Sequence, residues 1–301
     1  MDYLLLALSV VTGSSKSLIT KYVKNEAKGM TKTMLVNVMS FLFGVVALLA
    51  FAIISITRDG LKVPLLLAFV YAFCTFGSQF ALMKAVELGS VAISSLFYSC
   101  GFVIPTIWGC VRYNEGINAL YIIGFVLILA SFVLSVDIKK GEKFNFKWLI
   151  AALGGTVFSG LVGVTQKLFT NEYSTFSMDQ FLCVSFLMIV VMCIAAMLVS
   201  FFIEKKKGLV SPNEKPLSLS KNTIIFTVIL GLILGGHNKL CTHLAGVLES
   251  FIMFPVCNGG VIALTAVLSA VIFKEKLTKK QLAAVIIGFV AIIIIAVGKA
   301  L

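Results

Sequence analysis

The residues of this chain that could do chemistry are few, and nearly all of them interrupt long apolar runs. The densest group reads Gly235-Gly236-His237-Asn238-Lys239, with His243 a turn and a half further on. A second group reads Gly77-Ser78-Gln79, followed by Lys84. Lys16 and the trio Asn258, Gly259 and Gly260 stand in other apolar runs, and Ser95, Tyr98 and Ser99 set three hydroxyls close together. What these residue types offer is binding. An ammonium attracts a carboxylate or phosphate, an imidazole changes charge near neutral pH, and amides and hydroxyls give directional hydrogen bonds. Lys16 and Lys239 are therefore candidates to hold an anionic group. His237 is a candidate for substrate contact and proton coupling, and Gln79, Tyr98, Ser99, Asn238 and Asn258 are candidates to orient a ligand. Glu87 and Glu249, at the ends of apolar runs, are candidates for coupling or gating. Plainer roles stand beside these: a lysine near a helix end reaches the interface by snorkelling, and small residues such as Gly259 and Gly260 let helices pack closely.

Catalysis finds no such constellation. Glu115 and Glu275 resemble a carboxylate pair, but their matching contexts place them at equivalent ends of two opposed halves, where they cannot share a substrate. Pairing with Arg112 or Lys276 is their expected role. The seven cysteines (Cys74, Cys100, Cys110, Cys183, Cys193, Cys241, Cys257) lie in apolar runs without CxxC spacing, as small packing residues do. No metal ligand set and no cofactor is assigned.

The elements that must position these side chains follow from composition. With 59% hydrophobic and 13% charged residues in 301, the chain has too little polar surface for a soluble domain of that length. It reads as an integral membrane protein. Apolar windows place ten spans at about 3–22, 33–57, 63–86, 90–112, 117–136, 148–168, 178–203, 222–246, 250–273 and 281–298. Two of them carry helix-breaking residues: Ser99, Gly101 and Pro105 in the fourth, and Pro255 with Asn258, Gly259 and Gly260 in the ninth. Both are expected to break. The linkers 137–147 and 204–221 read as solvated loops. The first span starts at Tyr3 without a basic leader or cleavage site, as a retained helix does.

The two halves of the chain match. Lys21, Asn25 and Glu26 answer to Lys167, Asn171 and Glu172; Ser40-Phe41-Leu42 to Ser185-Phe186-Leu187; and Leu88, Ser90 and Glu115 to Leu248, Ser250 and Glu275. The pentapeptide IIGFV starts at both Ile122 and Ile286. Two copies of five spans, an odd number, must insert in opposite orientations. The expected fold class is an all-α integral membrane protein of ten transmembrane helices, built as inverted repeats at 1–140 and 141–301. The net charge of +12 would suggest nucleic acid in a soluble protein. Here the lysines fall in short loops, so the charge reads as membrane orientation and no nucleic-acid partner is expected. One side collects Lys21, Lys24, Lys28, Lys32, Lys139, Lys140, Lys143, Lys147, Lys205, Lys206, Lys207, Lys215, Lys221, Lys274, Lys276, Lys279 and Lys280; the other has Arg58, Lys62, Arg112, Lys167 and Lys299. The lysine-rich side is expected to be cytoplasmic, with both termini outside.

The short loops, the five-plus-five duplication and the span-ending string FPVCNGGVIALTAVLSAVIFKEKLTKKQ, followed by Gly288, resemble the EamA family of the drug/metabolite transporter superfamily. The turn Phe273-Lys274-Glu275-Lys276-Leu277-Thr278 is the most specific part, and Asn114-Glu115 is its weaker first copy. The resemblance implies a secondary transporter or exporter of small metabolites, including amino acids, with a cavity between the halves and the fifth and tenth spans outside it. Two features depart from the family: the first span reads Val11-Thr12-Gly13-Ser14-Ser15-Lys16-Ser17 without the tryptophan often found there, and the lysine count puts the termini outside instead of in the cytoplasm.

The expected function is importing or exporting a small polar metabolite, such as an amino acid or organic anion, by alternating access. A lipid flippase or membrane scaffold subunit is the alternative. Expected partners are the substrate, the bilayer and a coupling proton or ion, in a monomer or homodimer of a multi-pass protein of the cell membrane, of the bacterial inner-membrane type. A reporter fused after Leu301 is expected to behave as extracytoplasmic; cytoplasmic behaviour would reverse the assigned topology.

Overall fold

A computed structural model describes residues 1–26, 29–89, 91–135, 146–206, 217–272 and 278–300, and among them the regular structure is helical. The elements are α1 (Asp2–Glu26), α2 (Met30–Asp59), α3 (Leu65–Leu88), α4 (Val91–Ser99), a 3₁₀ turn (Cys100–Phe102), α5 (Val103–Tyr113), α6 (Ala119–Ser135), α7 (Phe146–Glu172), α8 (Met178–Lys206), α9 (Lys221–Val247), α10 (Ser250–Ile272) and α11 (Lys279–Ala300). Nine segments among the described residues are long and apolar enough to cross a bilayer, α4 to α5 counting as one, and Ala119–Leu134 is a shorter tenth. The chain is a multi-pass membrane protein of ten spans. The turns are short because special backbone conformations close them: Gly60 at φ 75 ends α2 and donates its N–H to the Ile56 carbonyl, and Asn114 at φ 50 folds the chain back after α5.

The helices pack as two compact units, each drawing on both halves of the sequence. One comprises 15–76 and 173–240, and its spine is α2 against α8, the second span of each half. Phe41 and Phe186 meet edge to face at 5.3 Å between centroids, and Gly44 lies directly over the Phe186 ring. Both ends of this pair are fastened. Glu204 of α8 accepts the backbone N–H of Met30 at 2.9 Å and the Thr31 hydroxyl at 2.6 Å, satisfying donors that the start of α2 would otherwise leave orphaned. At the other end Gln180, 2% exposed, donates to Ser55 Oγ and the Gly60 carbonyl and accepts the Lys62 N–H, each at 2.9 Å. Glu204 therefore belongs to a helix end and not to the solvated loop expected from its charge.

The other unit comprises 1–14, 77–172 and 241–301. Here α6 lies along α11, the fifth span of each half: Gly124 lets Ile295 approach, and the Ser131 hydroxyl donates to the Ala284 carbonyl at 2.7 Å. The fourth span breaks, as its sequence predicts. The 3₁₀ turn at Cys100–Phe102 interrupts the α-helical bonding pattern, and α7 supplies donors to the carbonyls just before it: Thr156 donates its hydroxyl to the Phe97 carbonyl at 2.7 Å and Ser159 to the Tyr98 carbonyl at 2.9 Å. Such compensation is obligatory where water is absent. It needs the backbones to touch, which Gly101 and Gly160 allow, since a Cβ on Gly160 would stand 2.6 Å from the Gly101 carbonyl.

The ninth span does not break. α10 runs continuously through Pro255, Asn258, Gly259 and Gly260. Pro255 is the sixth residue of α10, just past the first turn, so it removes only the bond that Phe251's carbonyl would have received. Gly259 and Gly260 are occupied by packing, against Ile128 and Val10 respectively. The signature turn 273–277, Ser90, the linker 137–145, the loop 207–216 and the basic residues Lys28, Lys139, Lys140, Lys143, Lys207, Lys215, Lys274 and Lys276 lie outside the described residues.

A methyl group at Gly101 would sit 1.9 Å from Ser159 Oγ and 2.8 Å from the Thr156 carbonyl, whereas one at Gly116 would meet nothing within 4 Å. Gly101→Ala is expected to destabilise the fold by about 1–3 kcal/mol, and Gly116→Ala by less than about 0.5 kcal/mol. Thermal unfolding of the two purified variants in detergent would test this, and equal midpoints would refute the close-packing account.

Candidate functional site

In the unit of residues 15–76 and 173–240, glycine spacing determines where the polar cluster of α9 lands. Gly231 and Gly235 bring the α9 backbone onto α2, where a Cβ on either would stand 2.6 Å from the Ser40 or Gly44 carbonyl. One turn later come His237, Asn238 and Lys239, now held close to α2 and α3. Tyr71 of α3, fully buried, donates its hydroxyl to Asn238 Oδ1 at 2.7 Å, while Asn238 Nδ2 donates to its own helix at Leu234. Lys239 Nζ lies 3.6 Å from the centroid of the Phe51 ring and 2.8 Å from Asp179 Oδ1. The ammonium is thus supported by a π face and a carboxylate at once.

Asp179 is in the first turn of α8, where the helix N-terminus favours a negative charge, and the buried Gln180 beside it fastens that turn to the end of α2. The result is a cavity of about 330 Å³ lined by Phe51, Ile54, Ser55, Arg58, Asp59, Ser174, Thr175, Phe176, Ser177 and Asp179. Its wall carries hydroxyls, two aromatic rings and Asp179, behind which stands its partner Lys239; the two side chains are 19% and 29% exposed. A pair so placed is shielded enough for its charges to matter and open enough for a ligand to reach. Lys16 is half-buried in α1 of the same unit, and both Lys16 and His237 are engaged by neighbouring groups.

The unit of residues 1–14, 77–172 and 241–301 holds the remaining candidates, engaged differently. Gln79 is half-buried in α3, and its neighbour Ser78 hydrogen-bonds the Tyr98 hydroxyl. Ser99 leads into the 3₁₀ turn. Asn258 donates to the Phe254 carbonyl of its own helix at 2.9 Å. Glu87 pairs with Lys84 at 2.7 Å on the surface of α3, and Glu249 accepts the Tyr121 hydroxyl at 2.9 Å.

Glu115 does not pair with Arg112. Its partner is Lys167, which the charge count had assigned to the lysine-poor membrane side as an orienting charge but which is 3% exposed. Lys167 Nζ lies 2.6 Å from Glu115 Oε1 and donates to the Leu248 carbonyl at 3.0 Å, while Glu115 Oε2 accepts the Ser250 N–H at 2.7 Å. Arg112 pairs instead with Glu172, at 3.0 Å. The reason is the left-handed Asn114, which turns Glu115 back beneath α5 and away from Arg112 on the exposed face.

Sequence reasoning did not single out Asp179 or Tyr71, and misread Lys167. Asp179 stands at the start of the seventh span, and nothing local in the sequence distinguishes it from an ordinary span-end charge. Lys167 carried a usable signal: it lies five residues inside the end of an apolar helix, too deep for a loop.

A profile of the EamA-like transporter family matches the chain twice, over residues 2–136 and 146–297. A comparison with curated proteins found no match in sequence. One protein of known crystal structure is 15% identical and superposes with a TM-score of 0.72 over 97% of this chain and 95% of its own, a likeness of fold.

The buried Lys167–Glu115 pair is tested by its asymmetry. Lys167→Met alone is expected to destabilise the protein by about 3–5 kcal/mol, because it leaves a buried carboxylate uncompensated, and Lys167→Met with Glu115→Leu is expected to recover most of that loss. Unfolding midpoints in detergent would measure both; a double variant as unstable as the single would refute the pairing.

Proposed function

The chain belongs to the EamA-like transporter family, within the drug/metabolite transporter superfamily, and from that premise we propose that it is a secondary transporter of a small polar metabolite, an amino acid or organic anion, working by alternating access. In this reading residues 1–140 and 141–301 are the two inverted repeats. The cargo site is the cavity bounded by α2 from the first repeat and α8 from the second, with the Lys239 cluster of α9 behind it. Lys239 provides the attraction for an anionic group, Asn238 and Tyr71 fix its surroundings, and Phe51 supports both ammonium and cargo. The observation that carries the reading is the partly buried Lys239–Asp179 pair, whose Asp179 lines a cavity large enough for a metabolite. A flippase would direct such a lysine towards lipid; here Lys239 is turned onto Asp179 and Phe51.

A proton or ion remains the proposed coupling partner, with His237, two residues before Lys239 in α9, the candidate to carry it. The proposed setting is a bacterial inner membrane with lysine-rich loops on the cytoplasmic side, and a monomer or homodimer there.

Proteoliposomes loaded against a panel of amino acids and organic anions are expected to take up at least one of them, and Lys239→Ala is expected to reduce that uptake at least about tenfold, the loss of one charge-assisted contact. Uptake unchanged by Lys239→Ala would remove this lysine, and the cavity with it, from the cargo path.

A further inference from the structure

The ion pair at the cavity wall does more than supply a cation, because its two members differ in what they leave available. Asp179 lines the cavity, while Lys239 reaches it from behind, against Phe51 and Asp179. Asp179 Oδ1 is out of solvent and, although 2.8 Å from Lys239 Nζ, makes no hydrogen bond of good geometry with any described residue. Its contact with the lysine is one of charge. The other charges of the cavity are Arg58 and Asp59, which pair with each other at 3.2 Å in a more exposed position. Two cations and two carboxylates therefore balance.

An anionic cargo entering this site must take Lys239 from Asp179. It then leaves a shielded carboxylate without its counter-ion and adds a second anion beside it, and both changes are unfavourable where water is scarce. A cationic cargo faces the converse problem at Lys239. A molecule bearing an anion and a cation on neighbouring atoms replaces both partners together: its carboxylate takes the ammonium of Lys239, and its own ammonium takes the place of Lys239 at the Asp179 carboxylate. No charge is left unpaired, and one ion pair becomes two.

Resting on the cargo site proposed above, we propose that Asp179 determines the charge class of the cargo, excluding simple anions and admitting zwitterions whose opposite charges lie side by side. Lys239 binds; Asp179 selects. The cavity volume and its apolar walls at Phe51, Ile54 and Phe176 suit a zwitterion with a compact apolar side group.

The test uses purified full-length protein in detergent and matched trios that share one body: alanine, propanoate and alaninamide, then leucine, 4-methylpentanoate and leucinamide, with binding read by calorimetry. Wild type is expected to bind the zwitterion of at least one trio and to bind neither its anion nor its cation measurably. Asp179→Asn is expected to bind the anion of that trio at least about tenfold more tightly than wild type does, and the zwitterion more weakly. Asp179→Glu, which keeps the carboxylate, retains the wild-type order and guards against a folding defect. An unchanged charge preference in Asp179→Asn, a wild type that prefers the anion, or a wild type that binds no member of either trio would overturn the assignment. If Lys239→Ala abolishes binding while Asp179→Asn leaves the charge order intact, only the selective role of Asp179 falls. If Lys239→Ala leaves binding intact, the cargo site falls with it.

Discussion

Inside a bilayer a carbonyl that loses its helical donor has no water to turn to, and the architecture here depends on answering that deficit. The fourth span breaks at Cys100–Phe102 and two hydroxyls of α7, on Thr156 and Ser159, serve the carbonyls of Phe97 and Tyr98. That repair works only at backbone contact distance, so it requires glycine at 101 and 160. The same requirement recurs where α9 meets α2 through Gly231 and Gly235. Close approach there has a different consequence, since it carries Asn238 and Lys239 towards Tyr71, Phe51 and Asp179. Packing glycines and the polar cluster are thus parts of one arrangement: the first bring the helices together, and the second makes its contacts across the separation that results.

The two ion pairs separate structural charge from usable charge. Lys167 and Glu115 are sealed, with the lysine also on the Leu248 carbonyl and the second glutamate oxygen on the Ser250 N–H. Little acceptor capacity is left for a ligand, and the pair holds the turns around α5 and α10. Lys239 and Asp179 are partly exposed at a cavity wall, with an aromatic ring in place of further acceptors and a carboxylate oxygen without a hydrogen bond among the described residues. Charges with every partner in place stabilise a fold, while charges with one place open can exchange a partner. By that criterion the second pair is the one less committed to the fold.

Much of this was legible along the chain. Ten spans, the duplication, the break near Gly101, the packing role of Gly231 and Gly235 and the concentration of polarity at 237–239 follow from residue types at helical spacing, because the bilayer makes each polar interruption of an apolar run costly and hence visible. The misreadings have physical causes. Pro255 suggested a second break, but its position just beyond the first turn of α10 costs only one backbone bond. Glu115 was matched to the basic residue nearest in sequence, and the left-handed Asn114 turned it elsewhere.

The sequence by itself determined that this is a ten-span membrane protein of duplicated plan and where lysine, histidine and amide side chains interrupt its apolar runs. These are properties of composition, periodicity and local spacing, which the bilayer enforces one helix at a time. Only the tertiary structure decided which charges meet. Asp179 reaches Lys239 from a helix sixty residues earlier, and Lys167 finds Glu115 from the opposite half of the chain. A charge carries no mark of its partner in the sequence, since the energy of a pair depends on a distance of a few ångströms and on burial, and both arise only when the helices pack.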